Sequence, residues 1–188
     1  NIHILGLKSG RILKEFRGHT SYVNCAVWVD ESQILSGGHD GTIKAWDVQK
    51  IECIASLIPT GEQALSPPPI RSICKFHNPE SNSDDSLYLV TTQSSKLHLF
   101  SLLKRSFSLT IPTSLKSQSH LIASAMKRSL LFCLSNEGHL LAIRSNALNS
   151  IFGNMRVSEV EAIGFSLHPV FDLLVTFDIG GEIKFWKS

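Results

Sequence analysis

Apolar and polar residues alternate along this chain in short runs broken by Gly, Asp and Ser. The clearest stretch reads Arg11-Ile-Leu-Lys-Glu-Phe16, then Gly18-His19, then Tyr22-Val-Asn-Cys-Ala-Val-Trp28. It continues through Gln33-Ile-Leu-Ser36 and Gly37-Gly38-His39-Asp40-Gly41 to Thr42-Ile-Lys-Ala-Trp46-Asp47. A period of two predicts β-strands, and the small polar residues between the runs predict tight turns. No segment of helical period accompanies them, so the pattern predicts an all-β chain.

The ending of this stretch recurs. Trp46 closes it, and Leu5, Phe100, Ile143 and Trp186 close comparable segments, at intervals of 41, 54, 43 and 43 residues. Such recurrence at ~40–45 residues, with four short strands per unit, is the mark of blades stacked around an axis. The long interval holds two inserts: 58–69, rich in Pro and Gly, and 81–86, rich in Ser and Asp. Neither composition suits a central strand, and Pro67-Pro68-Pro69 reads as a stiff surface loop. The repeats divide as 1–8 (partial), 9–50, 51–103, 104–145 and 146–188. In the last, the segments 161–167, 173–177 and 183–186 have no following outer strand; in the first, only the last two strands are present. A four-stranded unit cannot bury both faces alone. The chain is therefore expected to be part of a larger ring that needs N-terminal blades for closure, and to aggregate or remain unfolded if expressed by itself. The start at Asn1, without Met and inside a strand pattern, fits that expectation.

The residues from Gly18-His19 to Trp46-Asp47 resemble the WD40-repeat family. The resemblance implies a WD40 β-propeller, of which this chain would be a C-terminal fragment of about four of an expected seven blades. It also implies that His19, Ser36, Asp40 and Trp46 form one hydrogen-bonded tetrad, running from the Trp46 indole through Ser36 and His19 to Asp40. The other repeats depart from that pattern. In the last, Trp186 and Thr176 keep their places, Gly180 stands for the Asp and Ser158 for the His. In the third, Ile143, Glu137 and Cys133 replace Trp, Asp and Ser; in the second, Phe100 and Ser94 replace Trp and Asp. Apolar burial must hold those blades.

Ser36, His19 and Asp40 are also the residue types of a hydrolase triad. That chemistry needs an exposed nucleophile on a strained turn and an oxyanion hole. Ser36 lies instead in an apolar strand run with no G-x-S-x-G around it. No phosphate-binding loop, dinucleotide glycine motif or metal-spaced histidine pair is present. The expectation is a binding protein with no catalytic, cofactor or metal site. Gly37-Gly38 and Gly180-Gly181 are read as matching tight turns.

Composition refines this picture only a little. The chain is 43% hydrophobic and 18% charged, the latter below the ~25% of typical soluble domains, which suits much buried strand. Its net charge of +2 and pI near 8.4 fall short of the pI above ~9 expected of a nucleic-acid-binding domain, so direct RNA contact is not indicated. The densest basic group, Lys8, Arg11, Lys14 and Arg17, reads as a solvated strand face. Cys25, Cys53, Cys74 and Cys133 form no C-x-x-C pair, and their apolar surroundings predict buried thiols. Together with the absence of any Asn-x-Ser/Thr site, they suit a reducing compartment. No apolar run approaches the ~18–20 residues of a membrane-spanning helix.

A narrower resemblance is carried by the block from Lys8 to Asn24, by Asp40-Gly-Thr-Ile-Lys-Ala-Trp46 with Glu52-Cys53, and by Asn78-Pro79-Glu80 and Ile183-Lys-Phe-Trp-Lys187. These are similar to the SMU-type WD40 splicing factors that partner the RED protein. That likeness implies a nuclear, non-catalytic scaffold of the spliceosome, with a RED-like partner and proteins of the U2 and U5 particles around it. In the family, RED binding belongs largely to an N-terminal region outside this chain. By analogy with WD40 top faces, Thr20, Tyr22, His39, Gln93 and Asn136 are the candidate partner contacts, with Tyr22 the leading anchor. The alternative is an adaptor or substrate receptor of a ubiquitin ligase or another peptide-binding complex, since one fold hosts all of these.

Overall fold

The computed structural model describes residues 1–59, 65–77, 85–113, 115, 119–148 and 150–187. Segment 78–80, most of insert 81–86 and part of insert 58–69 lie outside them.

The described residues form strands and turns without helix. β1 (Ile2–Leu5) and β2 (Ile12–Phe16) pair as a two-stranded sheet. Three four-stranded meanders follow. The first comprises β3 (Val23–Trp28), β4 (Gln33–Gly38), β5 (Ile43–Asp47) and β6 (Glu52–Leu57). The second comprises β7 (Ile70–Phe76), β8 (Leu87–Thr92), β9 (Lys96–Ser101) and β10 (Ser106–Pro112). The third comprises β11 (Leu121–Lys127), β12 (Leu130–Ser135), β13 (His139–Arg144) and β14 (Ile151–Arg156). A three-stranded sheet of β15 (Ala162–Leu167), β16 (Leu173–Asp178) and β17 (Ile183–Lys187) closes the series. We call these sheets A to E. The innermost strands β3, β7, β11 and β15 pack each on the next, so the sheets are consecutive blades of a β-propeller.

The cores lie between blades, one at each junction. Phe16, Ile34, Trp46 and Val48 fill the A–B junction. Leu35, Ile43 and Ala45 meet Ile70, Ile73, Tyr88, Val90 and Phe100 between B and C. Leu89, Leu97 and Leu99 meet Leu121, Leu131, Cys133, Leu141 and Ile143 between C and D, and Leu134 and Leu140 meet Ala162 and Leu174 between D and E. Strand alternation explains why one strand feeds two cores. Along β8, Tyr88 and Val90 turn to one junction and Leu89 to the other. The middle strands therefore read as nearly continuous apolar runs, being buried on both faces.

Blades B to E carry the same irregularity. The register of the innermost strand slips past Asn24 in β3, Arg71 in β7, Ile122 in β11 and Ile163 in β15. Such a bulge re-aims a side chain and sharpens the local twist. Its recurrence at one place shows common blade geometry where the sequence has diverged.

Two expectations need correction. Cys53 is exposed on the outer strand β6, whereas Cys133 is buried and Cys25 and Cys74 are half-buried, because an outer strand packs on one face only. Gly37-Gly38 and Gly180-Gly181 are not equivalent. The matching turn glycines are Gly41, Gly138 and Gly181, with φ of 71°, 79° and 79°, a conformation that favours glycine. Gly37 and Gly38 end strand β4 instead. A Cβ on Gly38 would collide with the Asp40 carboxylate and the His19 ring, so this residue is small to make room for its neighbours.

Candidate functional site

His19, Ser36, Asp40 and Trp46 converge in blade B from four separate places: the entry to β3, the strand β4, the turn after it and the strand β5. The Trp46 indole Nε1–H donates to Ser36 Oγ at 2.8 Å, and Ser36 Oγ lies 2.7 Å from His19 Nε2. His19 Nδ1 lies 2.9 Å from Asp40 Oδ2. With the imidazole proton on Nδ1, every donor in this chain has an acceptor. Asp40 also accepts from the Thr42 hydroxyl at 2.7 Å, the Thr42 amide at 3.1 Å and the Thr20 amide at 2.9 Å. Burial pushes the Asp40 carboxyl up, but the hydrogen bonds from Thr42, His19 and Thr20 outweigh it and hold it at about 2. Ser36 is wholly buried and its oxygen already accepts the indole proton, so no substrate carbonyl can reach it. The network ties the turn, the entry loop and two strands together.

In blade E the same job is done differently. Trp186 Nε1–H donates to Thr176 Oγ1 at 2.9 Å. The sequence places Gly180 in the Asp slot, yet the carboxylate comes from Asp178, which occupies the register position of Gly38. Asp178 accepts from the Ser158 hydroxyl at 2.8 Å and from the amides of Gly180 and Glu182 at 3.0 and 3.1 Å. Asp178 was missed because the offset along the chain moves by two residues while the carboxylate stays at the same turn. In blade D the capping atom is Ser135 Oγ, accepting from the His139 amide, in place of Glu137. In blade C Ser94 Oγ accepts from the Lys96 amide and lies 2.7 Å from Thr92 Oγ1.

The candidate partner residues fall at one end of the blades. In each of blades B to E a residue of the β-turn donates its amide to the carbonyl of the residue entering or preceding the innermost strand. The pairs are His39 with Tyr22, Gln93 with Pro69, Asn136 with His120, and Ile179 with Glu161, at 2.7, 2.7, 3.0 and 3.0 Å. Tyr22, His39 and Gln93 are exposed, Tyr22 to 79%, and its ring meets His39 edge-on at 6.4 Å. Thr20 is exposed as well, but its amide is committed to Asp40. Asn136 is half-buried, and its side-chain carbonyl accepts from the His120 amide at 2.9 Å, so half of it serves the turn. The rim also contains Arg71, His120 and Glu161, whose signal in the sequence was only their position beside a strand start. Pro69 is part of this rim through its carbonyl, and Pro67 lies against Gly41, so the proline run braces the blade B turn.

Among the described residues, no group of three or more His, Cys, Asp or Glu side chains could hold a metal ion. Burial pushes the thiols of Cys25 and Cys74 up, to about 12 and about 11; Cys25 Sγ donates to the Gly37 carbonyl, and the Ser124 hydroxyl donates to Cys74 Sγ.

Residues 10–47 match the WD domain, G-beta repeat family. Over 178 residues, 93% of the chain, the sequence is 32% identical to the WD40 repeat-containing protein smu1 of Dictyostelium discoideum. Residues 10–47 thus form a WD40 repeat, and the similarity to a WD40 repeat-containing protein runs along nearly the whole chain. It spans about a third of that relative, 32% of its length. A second relative, THO complex subunit 6 of Drosophila melanogaster, is 40% identical over 58 residues, 31% of this chain and 17% of that protein. The crystal structure of the computationally designed Ika4 protein superposes with a TM-score of 0.67 at 16% identity, covering 95% of this chain and 98% of that one. At that identity the likeness speaks for the fold alone.

Proposed function

We propose that these WD40 blades belong to a non-catalytic nuclear scaffold that holds proteins together during pre-mRNA splicing. The observation that carries this reading is the rim of equivalent turn residues, held by one repeated backbone hydrogen bond and offering variable side chains outward. Constant framework with variable loops is how a propeller serves binding. Similarity to a smu1 protein along nearly the whole chain supports the splicing context, and local similarity to a THO complex subunit supports a place among mRNA-processing assemblies.

The proposed partners are a RED-like protein and proteins of the U2 and U5 particles. Thr20, Tyr22, His39, Gln93 and Asn136 are the proposed contacts, with Tyr22 as the anchor. Blades from outside residues 1–188 are proposed to cover blade E. Ile183 and Phe185 there are 62% and 77% exposed, whereas Ile43 and Ala45, their register equivalents in blade B, are 1% and 3% exposed. The test is affinity purification of the tagged intact protein from nuclei. Recovery of splicing proteins should fall sharply with Tyr22→Ala combined with His39→Ala. Unchanged recovery removes this face from the reading, and ubiquitin-ligase subunits in place of splicing proteins would move it to the receptor class.

A further inference from the structure

The rim contains a cation, Arg71, with no counter-charge among the described residues. Arg71 is the bulge residue of β7. Its Nη2 donates to the Gln93 side-chain carbonyl at 2.7 Å, which fixes the guanidinium at the blade C turn. Its Nε is buried with no partner among the described residues, while the residue as a whole is only half-buried. No described carboxylate lies within ion-pair distance of it. An arginine fixed in this way offers a rigid fork matched to a carboxylate.

On the next blade, half-buried His120 stands within the reach of that charge. Burial and Arg71 lower its pKa, and Glu161 on blade E opposes them. The His120 backbone amide is taken by Asn136, but its ring has no hydrogen-bond partner among the described residues. A carboxylate arriving at Arg71 would favour the protonated His120 ring and gain a second donor. Glu161, on the far side of His120, repels an acid from the blade E end and so confines it to blades C and D. On the blade B side, exposed Tyr22 offers an apolar and polar surface to the residues flanking that acid.

We propose that Arg71, with His120 beside it, is the recognition site for an acidic side chain of an extended partner peptide laid across the rim. This rests on the rim being the partner face, and it adds the chemistry of what is read there. A peptide suits the site better than RNA. Phosphodiester binding needs cations repeated along the track, whereas along the described rim Arg71 is followed by His120 and then by the acidic Glu161.

The experiment uses the intact protein and three labelled probes, read by fluorescence anisotropy. One is a short peptide centred on Leu-Asp-Glu-Leu, one is its Leu-Asn-Gln-Leu counterpart, and one is a short oligouridylate. The acidic peptide should bind about tenfold or more tighter than the amide version, in line with a charge-assisted pair. Arg71→Gln should abolish that difference, with Arg71→Lys restoring part of it. The His120 ring resonance should titrate at higher pH when the acidic peptide is bound. Unfolding of Arg71→Gln by circular dichroism checks that the blade is intact. Equal binding of the two peptides, or a preference that survives Arg71→Gln in a folded protein, overturns the proposal. Oligouridylate binding that depends on Arg71 and exceeds that of the acidic peptide overturns it in favour of a phosphate reader. If the acidic preference is absent while Tyr22→Ala still strips splicing proteins, the partner face stands and only the acid recognition fails.

Discussion

The tetrad of blade B permits a quantitative test, because the neighbouring blades contain its natural replacement. Removing the Ser36 hydroxyl with Ser36→Ala leaves two buried groups unmatched: the Trp46 indole N–H and His19 Nε2. Trp46 is 1% exposed and the His19 side chain 2% exposed, so water cannot substitute for the lost partner. Each orphan costs about 1–3 kcal/mol, and Ser36→Ala should therefore destabilise by about 2–6 kcal/mol. Trp46→Phe removes the donor and part of the ring's volume, for about 2–3 kcal/mol. In the double variant the indole N–H is gone, so one of the two orphans counted for Ser36→Ala no longer exists. The double variant should fall short of the summed single effects by about 1–3 kcal/mol. Blades C and D are built this way already, with Val90 and Phe100, and Cys133 and Ile143, at the two register positions. Urea unfolding of the intact protein, followed by circular dichroism, measures the cycle. Strict additivity would falsify the claim that Ser36 and Trp46 act as one hydrogen-bonded unit.

Acid should weaken the same network. A carboxyl lowered from 3.8 to about 2 contributes stability that is present above its ordinary value and lost as pH falls through about 2. Asp40→Asn should flatten the loss of stability between those two pH values by about 2 kcal/mol, as read from urea midpoints across that range. Asp178→Ala should cost about 1–3 kcal/mol, since the Gly180 and Glu182 amides and the Ser158 hydroxyl lose their acceptor; a neutral effect in thermal melts would show that Asp178 does not replace the missing tetrad carboxylate. Ile51 has φ of 60° in the turn after β5 and is exposed, so Ile51→Gly should raise stability by about 1 kcal/mol by relieving a strained β-branched backbone. A lower melting midpoint in that variant would mean that the Ile51 side chain matters more to the protein than its backbone strain.

Much of this protein was legible along the chain. Alternating residues announced strands, because a strand presents successive side chains to opposite faces. The recurrence of Trp46, Phe100, Ile143 and Trp186 announced blades, because each closes a strand with a bulky group at a junction between sheets. Other features depended on tertiary contacts. Asp178 could take over from the Asp slot because two backbone positions on one turn can deliver a carboxylate to the same amides, which offsets along the sequence do not reveal. Cys53 is exposed because β6 is an outer strand, a matter of sheet order and not of neighbouring residues. Arg71 reads in sequence as an ordinary charged residue before an apolar strand. Only the bulge, the grip of Gln93 and the nearness of His120 on the next blade make it a fixed rim cation with no ion-pair partner among the described residues. Local periodicity follows from one residue's own geometry, whereas charge balance at a site depends on which chain segments the fold brings beside it.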